Sequence, residues 1–534
     1  MVSVTCYGGV GQIGGNQLLL EDGDSRLFFD FGTPFHQKGL YYEEYLNPRP
    51  GFGLLDPIEM GLIPPLRGLF RSDLELNIGD LWEQLEGSQT YRDLRNVKID
   101  GVLLSHAHLD HSGYISFLRP DLPVFTTGMT AFLAKAIQDT DVSDFEREVV
   151  YSVPRELREG LLQAGNWKTI PSIQRPFYVF DVNASDAGLQ KFWQRTPAAR
   201  KLEPIALKKA NKVGELEVRA FPVDHSIPGA SAFAVKTSAG WIAYTGDVRF
   251  HGLRGHATKR FVEELRKLKP VALLCEGTRA GFKKEDDANF TEDDVFERAA
   301  SEIRQATGLV IADFGPRNIE RLKIFARIAR EASRSLVILS KDAYLLKAAH
   351  LIDPSIPLPT NEPSIYIFDK PKGKADRWEQ EIKDENVGKL LTTEDLRRNQ
   401  ESYVLCFSFF DLNQLPSIRP KPGSLYLYSS HEAFDEETQL DFRRLRHWVE
   451  HFQMRWVGLP LEELKWTVPE DQQGLHASGH ASAKDLVELI KEVSPKYLIP
   501  IHIQQDGLDY YDAKVQDASI QIRKPALGNP IRID

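Results

Sequence analysis

The stretch Ser105-His106-Ala107-His108-Leu109-Asp110-His111 decides the reading of this chain. It follows an apolar run at 98–104 that reads as a β-strand, so four side chains able to bind a metal fall within six residues of a loop leaving a strand end. Imidazole and carboxylate donors suit Zn2+ and similar borderline ions, and such a loop aims alternate side chains at two neighbouring positions. Solvated histidines in a polar loop would account for one of these residues, but not for the set at this spacing.

Upstream, predicted strands at 2–7 and 17–20 flank a glycine-rich turn, Gly8-Gly9-Val10-Gly11-Gln12-Ile13-Gly14-Gly15-Asn16, and a third at 26–31 ends at Asp30 and Gly32. Gly9, Gly11 and Gly14 have the spacing of a dinucleotide-binding loop. The Gln-Leu-Leu-Leu that follows is strand-like, however, where that fingerprint requires a helix. Downstream, strands at 216–221, 232–237 and 241–245 form a further group, two of them running into His225 and Asp247. From about residue 271 the pattern changes to strand 271–275, helix 291–306, strand 309–312, helix 318–332 and strand 336–339, the alternation of a parallel α/β lobe. The charged stretch at 370–400 reads as a solvated loop or helix pair, and 37–95 and 140–200 as elaborations of the first lobe.

A chain of 534 residues exceeds one compact core and implies two or more lobes, one inserted in another. With 42% hydrophobic and 27% charged residues, the composition is that of an ordinary globular protein. No apolar run reaches the roughly 20 residues of a membrane span, and the N-terminus lacks the pattern of an export signal, so no membrane partner is expected. Three widely spaced cysteines without a C-x-x-C pair indicate neither a disulfide framework nor a thiolate zinc site, and a reducing cytoplasm is the expected location. The net charge of −10 excludes a protein that coats nucleic acid by overall basicity, although divalent metals in a cleft supply positive charge locally.

The H-x-H-x-D-H string is the hallmark of the metallo-β-lactamase superfamily, which this sequence resembles. The resemblance implies an αββα sandwich with two metals. His106, His108 and His225 would hold one, Asp110 and His111 the other, and Asp247 would bridge both. Asp30 would steady the ligand loop through hydrogen bonds, because metal ligands need oriented partners behind them. The superfamily includes hydrolases of lactams, thioesters and lactones as well as nucleases, so the branch must be read elsewhere.

It is read near the C-terminus. His476-Ala-Ser478-Gly479-His480, a predicted helix, and Pro495-Lys-Tyr-Leu-Ile-Pro-Ile-His502 resemble the β-CASP group of nucleases and, within it, the ribonuclease J family. Gly8 to Asn16, His225-Ser-Ile-Pro228 and Asp313-Phe-Gly-Pro-Arg-Asn-Ile-Glu-Arg321 agree with that resemblance, which covers nearly the whole chain. It implies three segments: 1–270 as the first part of the lactamase domain, 271–465 as an inserted parallel α/β β-CASP domain, and 466–534 completing the lactamase domain. It further implies Asp110, Glu276 and His480 as catalytic residues and His502 as the last ligand of the second metal. Ser478, Gly479, His480 and His476 would bind the substrate phosphate.

The expected activity is two-zinc hydrolysis of single-stranded RNA, exo- or endonucleolytic, leaving 5′-phosphate and 3′-hydroxyl ends, with Mn2+ or Mg2+ as substitutes for zinc. The alternatives are a DNA-directed nuclease or other phosphodiesterase on the same site, and an inactive RNA-binding scaffold. The sequence departs from the family at Ile503-Gln504-Gln505, where Gly-Glu is usual, and ends too soon after His502 for a separate C-terminal domain. Homo-oligomerisation is accordingly not required by this reading.

Overall fold

The computed structural model describes residues 1–43, 45–76, 81–85, 92–93, 98–141, 144–281, 290–315, 317–430, 436–460, 468–469 and 472–534. Parts of the elaboration at 37–95 therefore lie outside the described residues. Two sheets form the first lobe. One has eight strands in the order Lys208–Lys209, Phe177–Val179, Val124–Thr126, Gly101–Leu103, Ser25–Phe31, Gln17–Asp22, Val2–Cys6 and Pro530–Ile533. The other has seven, in the order Lys212–Val213, Leu216–Pro222, Ser231–Thr237, Gly240–Tyr244, Ala272–Glu276, Tyr497–Ile501 and Gln521–Ile522.

Side-chain alternation assembles these sheets into layers. Leu18, Leu20, Leu27 and Phe29 of the first share one buried core with Phe233, Val235, Ile242, Leu274 and Ile499 of the second. The opposite residues of the second sheet, Ala232, Ala234, Leu273 and Cys275, face Phe261 and Leu265 of helix Gly255–Leu268 and Leu486 and Ile490 of helix Ala483–Val493. Leu19 and Phe28 face outward from the first sheet into a larger core. The result is the expected αββα sandwich.

A third sheet, wholly parallel, runs in the order Leu390–Leu391, Ile365–Phe368, Ser335–Ile338, Tyr403–Cys406, Val310–Asp313, Leu425–Tyr428 and Arg455–Val457. Both its faces are apolar, Val310 and Ala312 on one side and Leu309 and Ile311 on the other, as a helix-covered parallel sheet requires. All of it lies in the chain between Ala272–Glu276 and Tyr497–Ile501, which pair directly in the second sheet. It is thus the inserted β-CASP lobe of a metallo-β-lactamase fold. Helix Gly128–Thr140 of the first lobe packs on helix Ser340–Ile352 of the insertion, and Phe132, Ala136, Leu346 and Ala349 lie in the same buried core.

One expectation is corrected. The apolar strand at 271–275, placed at the head of the inserted lobe, belongs to the lactamase sandwich, where it pairs with Gly240–Tyr244 and Tyr497–Ile501. A short apolar run fits the middle of either sheet, so the sequence carried no signal for the right one. Directly after the histidine cluster the chain forms a 3-10 turn, Gly113–Phe117. The elaboration at 37–95 is more than a surface loop, since Leu54, Leu62, Leu66, Phe70 and Leu74 are buried on the outer face of the first sheet. Buried Arg71 ties it to the second elaboration by donating to Glu148 at 2.8 Å. Among the described residues no helix is long and apolar enough to cross a membrane.

Candidate metal centre

The chemistry-bearing side chains converge where strands of both lactamase sheets end. Two groups could each hold a metal ion: His106, His108 and His225, and Asp110, His111, Asp247 and His502, with the donor atoms of each group within 4.8 Å of one another. Asp247 lies between them. Its Oδ2 is 3.1 Å from His111 Nε2, 3.7 Å from His106 Nε2 and 3.8 Å from His225 Nε2, while its Oδ1 is 3.9 Å from His502 Nε2.

Hydrogen bonds behind the histidines determine which nitrogen faces inward. Asp30 accepts from Ser105 N, Ser105 Oγ and His111 Nδ1, each at 2.7 Å, and from the Tyr244 hydroxyl, which leaves His111 Nε2 for the centre. Ser105 Oγ, having given its hydrogen to Asp30, accepts from His106 Nδ1 at 3.0 Å. His225 Nδ1 donates to the Gly479 carbonyl at 2.6 Å. Thr278 Oγ1 donates to Glu276 Oε2 at 2.6 Å and so accepts from His502 Nδ1 at 2.8 Å. For His106, His225 and His502 the inward nitrogen is thereby the one without the hydrogen, the form that binds a metal. At His111 burial works against the imidazolium, but the carboxylates of Asp247, Asp110 and Asp30 prevail and raise its pKa well above the ordinary value, so a metal there would displace a proton.

The backbone is shaped for the same end. Asp30 and His502 both adopt left-handed conformations, with φ of 53° and 52°, that aim their side chains from strand ends. The glycine-rich turn clamps the ligand loop rather than a nucleotide: Gly15 N and Asn16 N donate to the Asp110 carbonyl at 3.0 and 3.2 Å, and His502 N donates to Gly9 O at 2.7 Å. Gly14 has φ of +77°, and a Cβ there would lie 2.9 Å from that of Asp110.

The donors fit a divalent cation. Burial holds His106 and His225 well below the ordinary imidazole pKa and brings His108 down to about 4, keeping all three neutral. Burial opposes charge on Asp110 and Asp247, but the neighbouring imidazoles outweigh it and keep both carboxylates ionised. Asp247 Oδ1 is buried without a hydrogen-bond partner among the described residues, and His111 Nε2 has beside it the Asp247 carboxylate at 3.1 Å, an arrangement that a cation between them would satisfy.

Beside this centre, His480 Nδ1 donates to buried Glu276 at 3.0 Å and lies 4.0 Å from Asp247 Oδ2. Burial works against its imidazolium, but the charges of Glu276, Asp247 and Asp110 prevail and raise its pKa. His225, Asp247 and His480 form a third grouping of donor geometry. Because His480 commits Nδ1 to Glu276, the first two groups are the better ligand sets. Ser478, Gly479 and His480 are half-buried at the mouth of the site, and Ser478 Oγ accepts from His480 N at 3.1 Å.

His476 requires a correction. Its Nδ1 faces the Ser430 carbonyl at 3.0 Å and its Nε2 the Gly458 carbonyl at 2.8 Å, so neither nitrogen is left for a phosphate. It is a strut between this segment and two strand ends of the inserted lobe. Sequence reasoning missed Thr278, although it sits two residues beyond Glu276, and missed Tyr244, which reaches Asp30 across 214 residues of chain.

Such a sandwich, with histidines and ionised aspartates gathered at its strand ends, is that of a metallo-hydrolase. A family profile described as a Zn-dependent metallo-hydrolase RNA specificity domain matches residues 472–525, the segment that carries His480 and His502. Ribonuclease J of Pyrococcus abyssi is 22% identical over 461 residues, 81% of this chain and 80% of that protein. Ribonuclease J of Mycolicibacterium smegmatis is 23% identical over 326 residues, and that of Helicobacter pylori 25% over 248, the matches spanning 60% and 46% of this chain but 41% and 23% of those proteins. A crystal structure of a protein of unknown function from Enterococcus faecalis V583 shares the fold over 99% of both chains, with a TM-score of 0.65 and 22% identity. The chain thus resembles the ribonuclease J proteins of the metallo-β-lactamase/β-CASP group, at 22–25% identity to the relatives above.

Proposed function

We propose that this enzyme hydrolyses phosphodiester bonds of single-stranded RNA by attack of water, leaving 5′-phosphate and 3′-hydroxyl ends. One observation carries the reading: within the segment matched by the RNA specificity profile, His480 is hydrogen-bonded to buried Glu276 and lies beside Asp247. His106, His108 and His225 would hold one zinc ion, Asp110, His111 and His502 a second, and Asp247 would reach both. Two such ions polarise phosphoryl oxygens and lower the pKa of water toward neutrality, with Mn2+ or Mg2+ as substitutes.

The chain's own groups supply the rest. His480, with Nδ1 fixed on Glu276, presents its other nitrogen to the departing ribose 3′ oxygen and gives it a proton. Glu276 favours the protonated imidazole and sets the ring plane. The Ser478 hydroxyl, free to donate because its oxygen accepts from His480 N, and the Gly479 N–H are offered to the non-bridging phosphate oxygens. His502 supports the RNA reading, since family members that act on DNA tend to lack a histidine there.

The test is incubation of the zinc-loaded protein with 5′-monophosphorylated and 5′-triphosphorylated single-stranded RNA and matched DNA, with and without chelator, followed by mapping of the ends. Chelator-sensitive shortening of RNA to 5′-phosphate products is expected. Products with 2′,3′-cyclic phosphate would overturn attack by water. Cleavage of DNA alone would establish the DNA-directed alternative, and failure to cut either would overturn the nuclease reading.

A further inference from the structure

Three consecutive carbonyls of the Ser-Gly-His segment are gripped by side chains of the lactamase lobe. Gly479 O accepts from the ligand His225, as described, and His480 O accepts from Arg279 Nη1 at 3.3 Å. Ser478 O is held by two residues with no role so far: His251 Nε2 donates to it at 3.0 Å and Arg249 Nη1 at 3.4 Å. Both follow the ligand Asp247 on one short loop.

Arg249 is fully buried, and the rest of its guanidinium reaches in other directions. Nε donates to Asp224 Oδ1 at 3.1 Å, beside the ligand His225. Nη1 and Nη2 donate to Glu292 at 3.2 Å and Glu320 at 2.7 Å, both on helices of the inserted lobe. Glu292 also accepts from Arg321 Nε at 2.8 Å, and Arg321 Nη1 donates to Ser429 Oγ at 2.6 Å. Ser429 Oγ donates in turn to Leu475 O at 2.6 Å, which closes a ring of contacts at the start of the Ser-Gly-His segment. A planar guanidinium with fixed donor directions transmits geometry in a way that a flexible ammonium does not.

Resting on the ribonuclease reading above, we propose that His251 and Arg249 are positioning residues: they fix the Ser478 carbonyl against the ligand loops and the inserted lobe, and thereby set the placement of His480 at the departing oxygen. A misplacement of about 1 Å at such a group costs on the order of 100-fold in rate. The ring also contains the inserted-lobe helices, so the lobe's seating on the sandwich is read out at the proton donor.

The experiment compares two substrates in zinc-loaded full-length protein. RNA leaves through an alkoxide that needs a proton. Bis(p-nitrophenyl) phosphate leaves through a phenolate that is stable without one, yet draws on the same metals. In His251→Phe and Arg249→Lys the ratio of kcat for RNA to kcat for the small diester is expected to fall by about 30- to 100-fold, with KM for RNA changed by less than about threefold. His251→Gln, which keeps a side-chain N–H donor, is expected to recover most of the ratio. Removing His251 strips no countercharge from a buried ion pair, so His251→Phe decides the matter even where Arg249→Lys folds poorly.

An equal fall on both substrates, or an effect carried by KM, overturns the positioning role while RNA hydrolysis by the wild type still stands. Wild-type protein that hydrolyses the small diester but no RNA overturns both.

Discussion

Replacing Thr278 by valine keeps the shape of a buried side chain and removes one oxygen. That oxygen accepts from His502 Nδ1 at 2.8 Å and donates to Glu276 Oε2 at 2.6 Å, so it joins the second ligand group to the His480–Glu276 pair. Valine leaves the His502 N–H without a partner, and the ring is no longer held in the tautomer that turns Nε2 toward Asp110, 3.4 Å away. A buried polar group left unpaired costs about 1–3 kcal/mol. Loss of the hydrogen bond behind a ligand histidine typically weakens metal binding by about 10- to 100-fold, or about 1.4–2.7 kcal/mol. Zinc titration against a competing chelator should therefore show two classes of site in Thr278→Val: one unchanged, assigned to His106, His108 and His225, and one weakened by that factor. Thr278→Ser, which keeps the hydroxyl, should restore the affinity to within a few-fold. Two unaltered zinc affinities in a correctly folded Thr278→Val protein would refute the argument that this hydroxyl orients His502.

Asp30→Asn puts an amide where two carboxylate oxygens accept from Ser105, His111 and Tyr244, and it should lower the affinity of the second zinc by at least 10-fold in the same titration. His476→Ala takes away the ring that bridges the Ser430 and Gly458 carbonyls and the N–H it donates, and should cost about 1–3 kcal/mol in denaturant unfolding with zinc affinity little changed. Asp313 gives the pH dependence. Burial raises its carboxyl from 3.8 to about 7, so the fold favours the neutral acid: its contribution is complete below pH 3.8 and is lost as the pH rises through about 7. Asp313→Asn should thus gain stability relative to the wild type between pH 5 and pH 8, by on the order of 3 kcal/mol, read as a pH-dependent difference in unfolding free energy. A difference that stays constant over that range would contradict the burial argument.

The candidate donors were legible in the sequence because each lies in or beside a compact motif at a strand end. A strand end is one of the few places where chain order and spatial convergence coincide. His106, His108, Asp110 and His111 are neighbours in the chain, and His225, Asp247 and His502 each follow a strand whose apolar alternation is plain. It was the resemblance to the metallo-β-lactamase superfamily that grouped these residues; in the structure, strands that pair in order along most of each lactamase sheet bring their ends together. The exception was Ala272–Glu276, whose apolar run fits either of two sheets. Only its pairing with Tyr497–Ile501, more than 200 residues later, assigns it to the sandwich.

What the sequence hid is the layer behind the donors, for a physical reason. A threonine, a tyrosine or an arginine has no spacing that marks it as a partner, and its value arises only when a distant group arrives at hydrogen-bond distance. Thr278 and His502 are separated by 224 positions, Asn16 and Tyr244 by 228, and Arg249 and Ser478 by 229. Thr278 nevertheless fixes the inward nitrogen of His502, and Tyr244 braces the Asp30 carboxylate that does the same for His111; a histidine with the wrong nitrogen inward is not a ligand however apt its position. Naming the ligands from a motif therefore presupposes the partners that the motif cannot show. It also explains why His476, in the same segment as His480, was misread as a phosphate contact: only the positions of Ser430 and Gly458 reveal that both its nitrogens are taken.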